Sequence, residues 1–401
     1  MRVAVIGVGG VGSAAARFLA AAGHDVVGYE RFRIGHDLGS SHGESRLIRS
    51  AYPDPLYAGL VGEATRLWEE TAALAGEELF VRSGGLFFGP REHPDLAAVR
   101  GALDAAGLAY EVVGPDAALE RFPAFRLRAG EVGLYQSESG FLRATRCVLA
   151  TAALARRDGA TLLEETEVSE VTPRGAEVIV RAVGRGAVRG GMPDATRGAT
   201  SGAMPAAAPA AEQVAERAFD RVVVTAGPWM GALLRRFDLP LTVTRQEVVY
   251  LRIARRAEQF APAALPIWID AATYNYGCPA DGRIDGVKVG AHRGGVATDP
   301  DRVDRAPRAE HGRTLAAYAR ERMPDLSGEA VRSDVCLYTN TTDEDFVIDR
   351  APDSPNVWIV SACSGHGFKF AALIGKLVAE LATGAAAPPP WLSRFALRRF
   401  K

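Results

Sequence analysis

Cysteine is scarce: Cys147, Cys278, Cys336 and Cys363 are the four in 401 residues, and no C-x-x-C pair occurs. That excludes a disulfide-stapled secreted scaffold and points to a reducing compartment, the cytoplasm. Charge of one sign is lacking too. With 47 Lys and Arg against 48 Asp and Glu, the formal net charge is -1, which gives no reason to expect nucleic acid or a membrane as partner. No apolar run reaches the roughly 18 residues of a membrane-spanning helix. A buried-looking strand starts at Val3, so no secretory leader is expected before it, and the final RFALRRFK is not a peroxisomal S-K-L address. What remains is a soluble globular chain, 48% hydrophobic, with room for two domains.

What is present centres on Arg2 to Glu30, RVAVIGVGGVGSAAARFLAAAGHDVVGYE. Val3 to Ile6 read as a strand, and Gly7, Gly9 and Gly12 complete a G-x-G-x-x-G spacing before an alanine-rich helical pattern. The first glycine permits the tight turn, the second lets a pyrophosphate approach the backbone, and the third lets helix and strand pack closely. The phosphates would meet the positive end of a helix. Gly23 reads as the helix stop and His24 to Tyr29 as a second strand. Glu30, at its end, can accept hydrogen bonds from a ribose diol. An acid there favours FAD or NAD over NADP and leaves open which of the two.

Ser40 to Tyr52, SSHGESRLIRSAY, concentrates polarity. Arg46 and Arg49 lie three apart and would share a face on a helical turn, where like charges need an anion to offset their repulsion. Solvated surface arginines are the plainer reading. Pro55 to Gly76 is an amphipathic helix burying Leu60, Leu67 and Trp68. Two apolar runs between Leu79 and Gly89, broken by Gly84 and Gly85, predict a hairpin. His93–Gly107 and Leu142–Gly159 read as helices, with strand and turn at Glu131–Gly140 and strands at Thr161–Leu163 and Glu167–Val171. Val168 is either buried or offers its backbone to an adenine edge. Residues 184–211, rich in Gly, Ala, Pro and Ser without a hydrophobic period, read as a mobile surface insertion. FDRVVVTAGPWM, Phe219 to Met230, is another buried strand ending in a Gly-Pro turn.

Leu241–Ile253, Leu265–Asp270, Thr273–Cys278 and Gly286–Ala291 follow one another without intervening helices. They predict a mostly antiparallel sheet, covered by a helix at Arg308–Met323. In GVKVGAHR, alternation sets Lys288 opposite Val287 and Val289, so its amine faces a cavity or solvent. Cys336 lies on an apolar strand near Tyr338, where free cysteine commonly acts as a small hydrophobe. In SACSGHGFKFA, Gly365 and Gly367 bracket His366 at a strand-to-helix corner, with Lys369 just beyond. A helix N-terminus there suits a negative or electron-rich ring.

Taken together, GVGGVG with Glu30, SSHGESRLIRSAY, GVKVGAH, VCLYTNT and SGHGFKF resemble the D-amino-acid-oxidase superfamily of flavoproteins. Within it the chain is similar to the monomeric sarcosine oxidase and N-methyltryptophan oxidase group, with the related pipecolate oxidases, from Val3 to about Gly384 apart from the insertion at 184–211. The resemblance implies an α/β fold. A discontinuous Rossmann-like FAD domain is expected at 1–80, 141–228 and 329–390, an α+β substrate domain at 81–140 and 229–328, and a tail at 391–401.

The resemblance also assigns roles. Gly7, Gly9, Val11, Gly12, Glu30 and Arg31 would hold the ADP half of FAD. Ser41, His42, Arg46, Val168, Ala226, Gly227 and Trp229 would hold further parts, and Gly365, Gly367, Phe368 and Lys369 the flavin edge. Cys336 would form an 8α-S-cysteinyl link to the flavin, and no metal is expected. Arg49 and Lys369 match the pair that clamps the substrate carboxylate, a planar fork beside a point charge. Tyr276, His292, Tyr338 and His366 would line the substrate side. Lys288 matches the residue credited with activating dioxygen, because a nearby cation stabilises the charge developing on oxygen.

The implied activity is oxidation of a secondary amino acid, N-methyl or cyclic, by hydride transfer to flavin, with O2 reduced to hydrogen peroxide by a monomeric enzyme. Trp268 in LPIWIDAATYNYG would narrow the pocket, stack on an aromatic substrate, or belong to the core. Three other readings remain. A flavin oxidase or dehydrogenase acting on a different amine in a biosynthetic pathway shares the fold. A non-catalytic flavin-binding protein would keep the fold without turnover. An NAD-dependent dehydrogenase shares only the opening motif.

Overall fold

The structure is a computed structural model that describes residues 1–184 and 213–400. Its six-stranded sheet runs in the order Val347–Ala351, Ser354–Ser361, Arg221–Val224, Arg2–Ile6, Asp25–Tyr29, Thr161–Leu163. All neighbours are parallel except the first two strands. Arg2–Ile6 sits where the order reverses, with the next strand in sequence on one side and a much later one on the other. The crevice outside the carboxyl ends of strands at such a point is where open α/β sheets bind ligands.

Close packing around the opening helix explains its glycine and alanine content. Gly10–Ala21 is flanked by the helices Ala144–Arg157 and Ala371–Thr383. A Cβ on Gly12 would lie 1.8 Å from the Gly7 carbonyl oxygen, and one on Gly375 would lie 2.7 Å from the Ala15 nitrogen. Neither neighbour can yield, because both are backbone atoms of the turn and helix.

The second layer is a nine-stranded, mostly antiparallel sheet. Its spine is the pairing of Thr242–Ile253 with Leu326–Asn340, which sets Gln246 opposite Cys336 and Thr244 opposite Tyr338. Val287–Ala291 pairs on the other side, with Lys288 opposite Tyr250. Val287 and Val289 enter a core with Trp268, Phe88, Phe125 and Phe260. The helix Ala309–Arg322 covers this face. Its last residue, Arg322, is 2% exposed and donates to both Glu131 oxygens at 2.6 and 2.8 Å and to Asp270 at 3.4 Å. A buried cation is tolerated there because carboxylates surround it.

Five expectations need correction or a boundary. The two runs at 79–89 do not form a hairpin. Phe80–Arg82 pairs with Gly140–Leu142, whereas Gly85–Pro90 joins the large sheet beside Glu131–Gln136 and Ile267–Asp270. Gly84, at φ 74°, turns the chain from one sheet to another. Arg46 and Arg49 do not share a helical turn, since Arg46–Ile48 is a strand paired with Gly140–Leu142. The strand Leu326–Asn340 belongs to the nine-stranded sheet, so that layer reaches past residue 328 to Asn340.

The segment 391–401 is not a free tail as far as it is described. Phe395 is buried against Tyr57 and Phe346, and Arg394 binds Asp345 at 2.7 and 2.9 Å and also Asp54. The insertion expected at 184–211 lies outside the described residues except for Gly184, which ends the strand Glu177–Gly184. Among the described residues no helix is long and apolar enough to cross a membrane, and no group of three or more His, Cys, Asp or Glu is placed to hold a metal.

Candidate active site

Two cavities, of about 400 and about 160 Å³, meet at Gly9, Ser40, Ser41, Thr225 and Gly227 to form one slot past the carboxyl end of the opening strand. The larger is walled by Gly7, Glu30, Arg31, Val168, Ala226 and Trp229. Glu30 is 6% exposed, and its carboxylate accepts from the Val8 and Phe32 nitrogens at 2.9 and 3.1 Å. Arg31 and the Trp229 indole both donate to Asp301, at 2.7 and 2.8 Å. Thr225 locks the glycine turn by donating to the Gly7 carbonyl at 2.7 Å. The helix that follows has no acidic side chain in its first turn, so its positive end is left for a ligand.

The smaller cavity holds the chemistry. Arg46, Arg49, Lys288 and Lys369 line it, together with Tyr276, His292, Cys336, Tyr338, Gly365, His366, Gly367 and Phe368, and no Asp or Glu is on its wall. None of the four cations has a carboxylate within 4.0 Å among the described residues, although Arg17 and Arg322, buried elsewhere, each do. Lys288 is 2% exposed and donates to the Ser45 carbonyl at 2.6 Å. Burial first, then the neighbouring Arg46, pushes its pKa down to about 8. Lys369, 5% exposed, donates to the Tyr52 hydroxyl and the His366 carbonyl, both at 2.7 Å. Burial and Arg49 hold it well below the usual lysine range. Arg49 donates to the Ala51 carbonyl, and burial lowers its pKa as well. Such a cavity favours an anion.

Strand alternation delivers these groups. Cys336 and Tyr338 share one face of Leu326–Asn340, and Lys288 projects from the face opposite Val287 and Val289. Burial pushes the Cys336 thiol up, pushes the Tyr276 and Tyr338 phenols up, and holds His292 down at about 4 and His366 well below 6.5. The two imidazoles are therefore neutral at pH 7.

Every residue predicted for the site lies on the slot wall except Gly12 and His42. Gly12 sits one layer behind, against Gly7. His42 is 6% exposed, has an unpartnered Nε2 and is pushed down to about 3 by burial and then Arg46. Trp268 is also off the wall of this cavity, fully buried and packed on Phe125 and Tyr318 at 5.7 and 6.0 Å. Of its open readings the core one holds.

Sequence reasoning missed Tyr52, Ser40, Tyr274, Cys363 and Ser361. Tyr52 and Ser40 bound the motif SSHGESRLIRSAY, and Ser361 and Cys363 stand in SACSGHGFKFA, so those four lay within motifs already singled out. Tyr274 is held at φ 56° with its hydroxyl on Asp95, a conformation that no residue pattern announces.

A glycine-turn helix end beside a buried acid, opening into an acid-free electropositive cavity, is the setting of a dinucleotide-dependent oxidoreductase. The chain belongs to the DAO family of FAD dependent oxidoreductases, which it matches over residues 2–381. Monomeric sarcosine oxidase of Streptomyces avermitilis is 35% identical, over 96% of this chain and 95% of that protein. Peroxisomal sarcosine oxidase of Homo sapiens is 30% identical (94% and 90%), and N-methyl-L-tryptophan oxidase of Citrobacter koseri 31% (99% and 98%). Two solved structures share the fold: NikD, described as an unusual amino acid oxidase essential for nikkomycin biosynthesis (23% identity, TM-score 0.78, 98% and 96% covered), and L-proline dehydrogenase from P. horikoshii (22%, 0.79, 100% and 97%).

The residues present fit FAD. Besides the acid-free cavity and open helix end, the hydroxyls of Ser40 and Ser361 on the cavity wall are buried without a hydrogen-bond partner. Groups left in that state normally await a ligand or water.

Proposed function

We propose that the chain oxidises secondary amino acids, N-methyl or cyclic, and reduces O2 to hydrogen peroxide. The observation that carries this reading is the pair Arg49 and Lys369, one half-buried and one buried cation on one cavity wall, neither with a carboxylate partner among the described residues. A substrate carboxylate would supply the missing charge. Arg49 offers a planar fork and Lys369 a point charge, so the acid group is fixed in both position and plane. The aromatic wall of Tyr276 and Tyr338 leaves room for an uncharged amine and excludes water from it.

FAD, when bound, supplies the two-electron acceptor for a C–H bond beside nitrogen and the donor to O2. Gly7, Gly9, Val11, Glu30 and Arg31 would hold its ADP half, with Gly12 packing the turn behind them. Ser41, Arg46, Val168, Ala226, Gly227 and Trp229 would hold the middle, and Gly365, Gly367, Phe368 and Lys369 the ring edge. Cys336, buried on the wall, would tether the ring as a thioether. His42, off the wall, would act only by backing Arg46. Lys288 would stabilise negative charge developing on dioxygen. The net change is amino acid plus O2 to imine plus hydrogen peroxide, followed by hydrolysis of the imine.

The division into an FAD domain and a substrate domain is supported by the two sheets. The four free cysteines support a reducing, cytoplasmic setting, and the printed name of the Streptomyces relative supports a monomer. The test is a panel of N-methyl and cyclic amino acids offered to the purified holoenzyme, with peroxide and oxygen measured together. Turnover of at least one with equal oxygen uptake and peroxide release is expected. Reduction of an artificial acceptor without peroxide would transfer the reading to a dehydrogenase. Acid-precipitated, washed protein should remain yellow and carry a flavin mass on the peptide containing Cys336; a colourless pellet would remove the tether.

A further inference from the structure

Among the described residues no acid holds the clamp cations, so something else must fix them. Tyr52 touches both. Its hydroxyl oxygen is 2.7 Å from Lys369 Nζ and 3.2 Å from His366 Nδ1, and the Arg49 guanidinium lies 4.3 Å from its ring centroid. Behind it, Tyr57 stacks at 5.3 Å with its own hydroxyl on Asp345.

The direction of each hydrogen follows from the partners. His366 Nε2 lies 3.0 Å from the Glu344 carbonyl, which can only accept, so Nε2 carries the proton. With the ring neutral, Nδ1 is bare and accepts from the Tyr52 hydroxyl. The lone pairs of that oxygen are then available to Lys369. An ammonium has three protons: one goes to Tyr52, one to the His366 carbonyl, and one is left for a ligand.

We propose that Tyr52 is the positioning residue of the carboxylate clamp, its hydroxyl aiming the Lys369 ammonium and its ring face seating Arg49. This rests on the amino-acid oxidase reading and deepens it. Tyr52 also favours the charged form of Lys369 against the groups that oppose it. Burial opposes it first and the cation Arg49 second; His366 and His292, which also face the cavity, are neutral, and Tyr57 is engaged by Asp345. Without the hydroxyl, Lys369 gives up its proton at lower pH.

The test uses holoenzyme and acetate, a carboxylate that cannot be oxidised, with binding read from the flavin spectrum across pH. In Tyr52→Phe, which keeps the ring under Arg49, acetate binds about ten-fold more weakly, the loss of one hydrogen bond to a charged group. The alkaline limit of binding moves to lower pH, and KM for an N-methyl amino acid rises more than kcat falls. In a Lys369→Met background the same substitution changes acetate binding less than two-fold, because the two residues act through one contact. Unchanged acetate affinity and pH profile in Tyr52→Phe, or an undiminished effect in the Lys369→Met background, would overturn the role of Tyr52 alone. Failure of the wild-type holoenzyme to bind acetate would instead remove the carboxylate clamp itself.

Discussion

Lys288 and His42 show how one environment treats two basic side chains. Both are buried near Arg46, and both have lowered pKa values. Lys288 faces the cavity, where the proposed function gives a cation the task of stabilising charge on oxygen. Lys288→Met should therefore leave flavin reduction by substrate near normal and slow reoxidation in air by ~10² to 10³, measured by stopped flow. In the wild type the reoxidation rate should fall as pH rises through about 8, where the ammonium is lost, and the variant should lack that limb. His42 has no such outlet. Its folded pKa of about 3 is below the ordinary 6.5, so the unfolded chain takes the proton first as pH falls through 6.5. At pH 5 that favours unfolding by about 2 kcal/mol, at 1.36 kcal/mol per unit. His42→Asn should gain stability relative to wild type between pH 7.5 and 5 in thermal melts; a constant difference would contradict the buried neutral imidazole.

At the scale of elements, what was legible were the segments whose pattern is local. The glycine turn, the acid at Glu30 and the alternation that turns Lys288 inward are each written in a few consecutive residues. What was not legible depended on partners distant in sequence. The runs around Gly84 read as a hairpin because neighbouring strands usually pair, and only the competing sheets at Glu131–Gln136 and Gly140–Leu142 separate them. The end of the chain read as a tail because Arg394 gives no hint that Asp54 and Asp345 await it. Glycines divide the same way. Gly12→Ala would drive a methyl into the Gly7 carbonyl and should yield protein with little visible flavin absorbance per chain. Gly62→Ala, on an exposed face of the helix Pro55–Ala75 with nothing within 4 Å of the new carbon, should instead gain up to about 1 kcal/mol in denaturant unfolding. Equal effects from the two would contradict the packing described for the turn.

Across the whole molecule charge is nearly balanced, 47 Lys and Arg against 48 Asp and Glu, yet one cavity gathers four cations and no acid. Holding those charges in a wall where Lys288 and Lys369 are buried and Arg46 and Arg49 half-buried costs stability, and a ligand that brings negative charge offsets the cost. The large sheet supplies Lys288, Cys336 and Tyr338, the strand-to-helix corner supplies His366 and Lys369, and the end of a short edge strand supplies Arg49. None of these elements would be a site alone. The direct measurement of that claim compares an oxidised N-methyl amino acid with its carboxamide, identical in the amine but without the negative charge, as steady-state oxygen uptake at pH 7.5. The carboxylate form should be favoured in kcat/KM by about 10² or more, the worth of a paired buried contact to charge. A carboxamide oxidised as well as the acid would contradict the account.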